Sequence, residues 1–348
     1  MSRPTPRRLW TYLCRRLRLQ AYFQAPGDGR VRPEIPAHVL LWALLLGQVL
    51  REVSYAGLET LVCSPARPAL AVARRFGDDA LAHFTARLAP GPTRAALAAT
   101  LRQAKRNKAF EDSYLIGFAL DGTGAGRSAA VRCPFCHPRR DTQCRVTGYG
   151  HHCCLITVVG TGLTLPFDVE PYGPGDSEYG AGQRLLERAV AAVGRRFADY
   201  VVVDGEFATA PFLHVAGDLG LRVVARLKGN LPELSGTAQA RFAAQPPTAT
   251  FTVGADRIEV WDADDFDPWA TLRWATVRVL RYRQHKPDGT VVEAYWLTDF
   301  PAARVSSPTL FRLAKSRWEV ENQGFNEAKT AHGLAHICHH HANSLLIG

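Results

Sequence analysis

The sequence predicts a mixed α/β protein: a mixed sheet flanked by helices, with a helical N-terminal domain before it and a β-rich insertion within it. Three observations predict this. Two short apolar runs, Tyr114-Leu-Ile-Gly-Phe-Ala-Leu-Asp121 and Tyr200-Val-Val-Val-Asp204, read as buried strands, and each ends on an Asp followed by Gly. Helical and strand patterns alternate from about residue 183 to 226, the signature of helices covering a sheet. Residues 230–300 then turn rich in Val, Thr, Trp and Tyr, a composition suited to strands. With 348 residues, 47% hydrophobic and 21% charged, the chain can bury a large core and more than one structural unit.

Residues 1–33 carry Arg7, Arg8, Arg15, Arg16 and Arg18 with Trp10 and Tyr12 between them, a basic helix or arm. From Pro36 to Asn107 the pattern is helical, broken at Ser64-Pro-Ala-Arg-Pro68 and Ala89-Pro-Gly-Pro92, so residues 1–110 form the N-terminal domain. Strands are expected at 114–121, 151–159 and 163–170, a helix at 183–193, a strand at 200–204, a helix at 211–219 and a strand at 221–226. These segments, 111–229, make the first part of the core. In the insertion, Thr248–Asp262 and Thr271–Asp299 read as strands, and Lys286-Pro-Asp-Gly289 as a hairpin turn. Helical character returns at Ser307-Pro-Thr and continues through Lys329, so 301–348 completes the core.

Charge narrows the partners. The formal net charge is +10 and the pI about 9.4, so the surface should attract polyanions such as nucleic acid. Only six of the 42 basic residues are Lys, a bias that a G+C-rich genome also produces. The most apolar stretch, Val39–Leu50, falls short of the roughly 20 residues a membrane span needs. It begins too late for a secretion signal, so a cytoplasmic chain with reduced cysteines is expected.

Carboxylates at strand ends are placed to hold metal, since open α/β sheets build sites at the carboxyl ends of their strands. Asp121 and Asp204, if their strands are neighbours about 4.8 Å apart, would share a divalent cation. The bland alternative for either one is a helix cap or turn residue. Gly122-Thr-Gly-Ala-Gly126 lacks the Lys-Ser/Thr of a phosphate loop and the spacing of a dinucleotide site. Its glycines are expected to turn the chain away and leave Asp121 open. Glu321 lies one helical turn after Arg317 in Arg317-Trp-Glu-Val-Glu321-Asn, so the two share a face, alone no more than an exposed ion pair.

In combination these residues resemble insertion-sequence transposases with a DDE catalytic triad on a ribonuclease H-like core. In that family the first Asp ends the first core strand, the second ends a later strand, and the Glu follows a long β-rich insertion on a helix. Asp121, Asp204 and Glu321 stand in those places, 83 and 117 residues apart. Arg317, three residues and then Glu321 match the family's signature, and Asn322, Gly324-Phe-Asn326 and Lys329 look like its continuation in one branch. Gly77-Asp-Asp-Ala-Leu-Ala-His-Phe84 and Arg106-Asn-Lys108 are similar to that branch's N-terminal domain, so the resemblance spans about residues 36–345. Two positions depart. Ala314 stands where the signature has Tyr, and Lys329 comes one residue late, which rotates a regular helix by about 100°.

The resemblance implies a DNA transposase that nicks the ends of its element and joins them to target DNA. It implies two Mg²⁺ (or Mn²⁺) ions held by Asp121, Asp204 and Glu321, DNA contacts from Arg317, Lys329, Trp318 and Asn322, with Arg317 on a phosphate near the scissile bond, and a homodimer on paired DNA ends. The alternative is a copy that binds DNA without chemistry, since the chain stops at Ser344-Leu-Leu-Ile-Gly348 within an apolar helical pattern. A ribonuclease H-like repair nuclease fits less well, because of the long insertion before Glu321.

Two clusters stand apart from the triad. Five of the eight Cys fall within 22 residues, and Cys133, Cys136, Cys144 and His151 or His152 would close a tetrahedral Zn²⁺ site. Reduced thiols packed in a loop are the alternative. Trp261, Trp269, Trp274 and Trp296 lie among Arg273, Arg278, Arg281 and Arg283, which suits either base stacking or core packing. Asp262, Asp264, Asp265 and Asp267 read as a solvated loop.

Overall fold

A computed structural model describes residues 6–16, 27–110, 114–131, 133–334, 339 and 341–344. Arg18 of the basic arm and residues 345–348 lie outside this set. The protein is mixed α/β, built on one ten-stranded mixed sheet with helices on both faces. Its strands are β1 (Gly117–Ser128), β2 (His137–Arg140), β3 (Val146–Val159), β4 (Leu165–Tyr172), β5 (Tyr200–Val203), β6 (Arg222–Leu227), β7 (Ala249–Val253), β8 (Asp256–Phe266), β9 (Val277–His285) and β10 (Val291–Thr298). They run in the order β2-β3-β1-β5-β6-β10-β9-β8-β7, with β4 also paired to β3. Only β1, β5 and β6 are mutually parallel; every other pairing is antiparallel.

Strand parity assigns the two faces. Phe118, Leu120, Val201 and Val203 point into one core cluster, while Ala119, Tyr200 and Val202 point into another. The first face is covered by α5 (Pro90–Arg106), α6 (Glu178–Val193), α7 (Ala210–Asp218) and α8 (Pro232–Ala243). The second is covered by α9 (Ser307–Lys315), where Leu310, Phe311, Leu313 and Ala314 are buried. Ser306 caps α9, its hydroxyl accepting from the Thr309 N–H.

The N-terminal unit has its own core, formed by α2 (Ala37–Leu50), α3 (Tyr55–Cys63) and α4 (Asp78–Arg87). The basic segment Pro6–Arg16 is a helix, α1, and its Trp10 ring meets Trp42 of α2 edge-on at 4.6 Å. α5 packs instead on the sheet, where Arg102 and Lys105 donate to carbonyls of Ala192, Arg196 and Phe197. The chain end docks on the N-terminal unit: Ser344 Oγ pairs with Thr85 Oγ1 at 2.9 Å. Among the described residues no single helix is long and apolar enough to cross a membrane. α2 and α3 reach that length only together, across a 105° bend, and half of the residues of α2 are buried.

Three expectations change. The glycines after Asp121 do not turn the chain away: Gly122 to Gly126 continue β1, paired with β3 beyond the point where β5 ends. The β-rich segment is no separate layer, because β10 pairs with β6 and carries β9, β8 and β7 on as part of the same sheet. Asp262 is no loop residue. It lies in β8 with its side chain 6% exposed, paired with buried Arg278, and a β-bulge between Ala263 and Phe266 leaves Asp264 and Asp265 outside.

Candidate functional site

The parallel register builds the first half of the site. Leu120 of β1 pairs with Val203 of β5, so Asp121 and Asp204 follow each other across neighbouring strands. Both continue the parity of Ala119 and Val202, which aims them at the face carrying α9.

From that face a broken helix supplies the second half. After α9 the chain makes one α-turn, Arg317–Glu319, then a π-helix, Val320–Phe325, then an α-turn, Asn326–Thr330. Glu321 lies in the π segment, a geometry often found at functional sites. Arg317 joins the two halves. Its Nη1 donates to Asp121 Oδ2 at 2.8 Å and its Nη2 to Glu321 Oε1 at 2.7 Å. The π-helix also resolves the spacing of Lys329. A π segment takes up one extra residue relative to an α-helix, so the displaced Lys329 still faces β1, and its Nζ donates to Thr123 Oγ1 at 2.7 Å. The rotation expected from an unbroken helix does not occur.

The acids differ in environment. Burial pushes the Asp121 carboxyl up to about 6, and the Arg317 guanidinium and Gly122 N–H only partly oppose it. Burial would raise Asp204 too. There the Lys228 ammonium, 2.7 Å from Oδ2, the Gly205 N–H and Arg317 prevail and hold the carboxyl below its usual range. The other oxygen, Asp204 Oδ1, is buried with no hydrogen-bond donor among the described residues. Glu319, in the same motif, serves the fold: it accepts from Gly160 N–H and Thr164 Oγ1.

Three residues not foreseen from the sequence join the site. Glu178, first residue of α6, is raised by burial and by the neighbouring Asp121, Glu206 and Asp204 carboxylates. Gly122 makes room for it, since a Cβ there would stand 2.1 Å from the Glu178 carboxyl. Lys228 follows β6, as Asp204 follows β5, and such alignment of strand ends was its one legible signal. Tyr282 of β9 is fully buried, with Arg226 and Arg317 close enough to oppose the rise that burial imposes on its phenol.

Other expected residues are placed differently. Trp318 packs against Trp296 at 6.0 Å with the Lys315 ammonium 4.0 Å from its ring centre, whereas Asn322 is exposed. Trp296 and Trp261 are core residues, and Arg281 covers Trp261 at 4.4 Å while pairing with Glu293, so packing wins over base stacking there. Ala314 is fully buried in the second core cluster.

In the cysteine-rich segment Cys133, Cys136 and His151 come together and are all buried. Cys144 is exposed at the β2–β3 turn, and His152 points the other way, against His137 and Tyr172. Of the zinc ligands expected from the sequence, Cys133, Cys136 and His151 meet, whereas Cys144 and His152 do not: Cys144 lies on the exposed turn, and β3 parity puts the consecutive histidines on opposite faces.

Among the described residues no three of the carboxylates bring oxygens within 4.8 Å of one another; Arg317 is bonded to both Asp121 and Glu321. The result is a cluster of Asp121, Asp204, Glu321 and Glu178 threaded by two cations, Arg317 and Lys228. No family model matches the chain, and no curated protein matches it either.

Proposed function

We propose that the protein is a DNA transposase of the DDE type on a ribonuclease H-like core, with Asp121, Asp204 and Glu321 as its catalytic acids. One observation carries the reading: two aspartates that follow paired residues of neighbouring parallel strands, Asp121 within β1 and Asp204 at the end of β5, tied through Arg317 to a glutamate delivered by a helix from elsewhere in the chain.

The acid cluster fits a hard divalent cation. Its donors are carboxylate oxygens, it contains more acids than bases, and Asp204 Oδ1 is buried without a donor. Asp121, Asp204 and Glu321 would hold two Mg²⁺ or Mn²⁺ ions, which when bound supply Lewis acidity for phosphoryl transfer. The chain's own groups then act on DNA. Arg317, whose Nε is buried without an acceptor among the described residues, neutralises a phosphate near the scissile bond. Lys329 exchanges the Thr123 hydroxyl for a phosphate oxygen. The net charge of +10 draws DNA to the surface and makes binding fall steeply with salt. A homodimer on paired ends follows from the same reading.

A second reading, a DNA-binding protein without chemistry, is favoured by one observation. The Arg317 guanidinium spans Asp121 and Glu321, where a cation between them would sit. A supercoiled plasmid carrying the DNA that flanks the gene on either side separates the two. Mg²⁺-dependent joining of ends cut from that DNA to target DNA is expected; retention of the flanking DNA with no nicking or joining would leave the binding reading alone.

A further inference from the structure

The cysteine-rich segment is untouched by the reading above, and its geometry is independent of it. Cys133 Sγ and Cys136 Sγ are 3.7 Å apart, and His151 Nε2 is 3.0 Å from the first and 3.4 Å from the second. With Zn–S about 2.3 Å and Zn–N about 2.0–2.1 Å, a tetrahedral ion sets two thiolates about 3.8 Å apart and a thiolate and an imidazole nitrogen about 3.6 Å apart. The sulfur pair already has that spacing, and the imidazole nitrogen is about 0.2 Å short of it toward Cys136 and about 0.6 Å short toward Cys133.

The backbone explains why these three meet. His137 of β2 pairs with Gly150 of β3 antiparallel, so the preceding Cys136 falls opposite the following His151. A tight turn, with the Cys136 N–H donating to the Cys133 carbonyl at 3.2 Å, then brings Cys133 back beside them. The donors are 3–8% exposed, sheltered from bulk solvent, and all offer soft or imidazole ligands, unlike the oxygen-only acid cluster on β1.

We infer that Cys133, Cys136 and His151 supply three ligands of a structural zinc site that ties the connection between β1 and β2 to β3. The clip closes the chain between Cys133 and His151 and fixes the register of β2. It holds the base of a hairpin extension whose outer residues include exposed Arg127, Arg139, Arg140 and Arg145.

The test uses the full chain, expressed with added zinc, without a metal-affinity tag, and dialysed against metal-free buffer. Mass-spectrometric metal analysis should find about one zinc per chain, and Cys133→Ser, Cys136→Ser and His151→Ala should each lower it about tenfold or more. Cys144→Ser and His152→Ala should keep it. Cobalt(II) added to the apoprotein should give thiolate-to-metal charge transfer and the strong visible bands of a tetrahedral site, a readout that does not depend on any variant folding. A folded wild-type chain without zinc, a cobalt spectrum lacking the thiolate band, or equal loss in Cys144→Ser would overturn the assignment.

Discussion

Replacing Asp121 by Asn should make the metal-free protein more stable at neutral pH, in proportion to how strongly the fold resists this charge. The carboxyl titrates at about 6 in the native state against an ordinary 3.8, chiefly because it is buried. Between these values the native state holds more protons than the unfolded chain, so stability falls as pH rises through the interval. At about 1.4 kcal/mol per pH unit, the ionised side chain costs the native state about 3 kcal/mol at neutral pH, and nothing below pH about 4. Asn keeps one acceptor oxygen for the two donors, Gly122 N–H and Arg317, that bond the two carboxyl oxygens, so one of these bonds is lost and part of the gain is given back. Urea unfolding of wild type and Asp121→Asn with a chelator present, from about pH 4 to about pH 8, measures the difference. The variant's advantage should grow to about pH 6 and level off near pH 7. Magnesium should then stabilise wild type and not the variant, by about 2.7 kcal/mol at a hundredfold excess over Kd. A pH-independent difference, or a variant less stable throughout, would refute the claim that burial leaves this carboxylate in need of a cation.

Three further substitutions probe the surroundings. Arg317→Ala should cost about 3–5 kcal/mol in the same unfolding assay near neutral pH, since it strands a buried carboxylate, and Arg317→Lys should recover only part of that; a loss below about 1 kcal/mol would show the bridge to be incidental. Lys329→Ala should weaken DNA retention on all sequences alike and reduce the slope of log affinity against log salt by about one, with an unchanged slope counting against a phosphate contact. Gly122→Ala should cost about 1–3 kcal/mol by driving a Cβ into the Glu178 carboxyl, and adding Glu178→Ala should restore most of it; no recovery would mean Glu178 is not the neighbour that requires glycine.

How much of the site could be read from the sequence depended on whether its signal was local. Asp204 was legible because Tyr200–Val203 is a continuous buried run that stops at it. Asp121 was legible as the end of an apolar run, but not as a mid-strand residue, because the partner that carries β1 past it is Leu155 of β3, 34 residues further along the chain. The π-helix has no compositional signal, and its single trace was Lys329 falling one residue late. Glu178 fell before the helix expected at 183–193, and only the fold brings the true start of α6 to Gly122. Among the cysteines, Cys133-x-x-Cys136 was evident, whereas the choice between His151 and His152 rests on strand parity relative to β2. Asp262 was misread because four acids in six residues suggest solvent, and one bulge separates the buried member from its exposed neighbours.

The most direct test is the initial rate at which the intact protein nicks a supercoiled plasmid carrying the DNA that flanks its gene. Wild type would be compared with Asp121→Asn, Asp204→Asn and Glu321→Gln, in magnesium and in chelator. The account predicts magnesium-dependent nicking by wild type and a fall of about a thousandfold or more in each variant, with binding of that DNA retained. Equal nicking by wild type and the three variants, or nicking undiminished by the chelator, would contradict it.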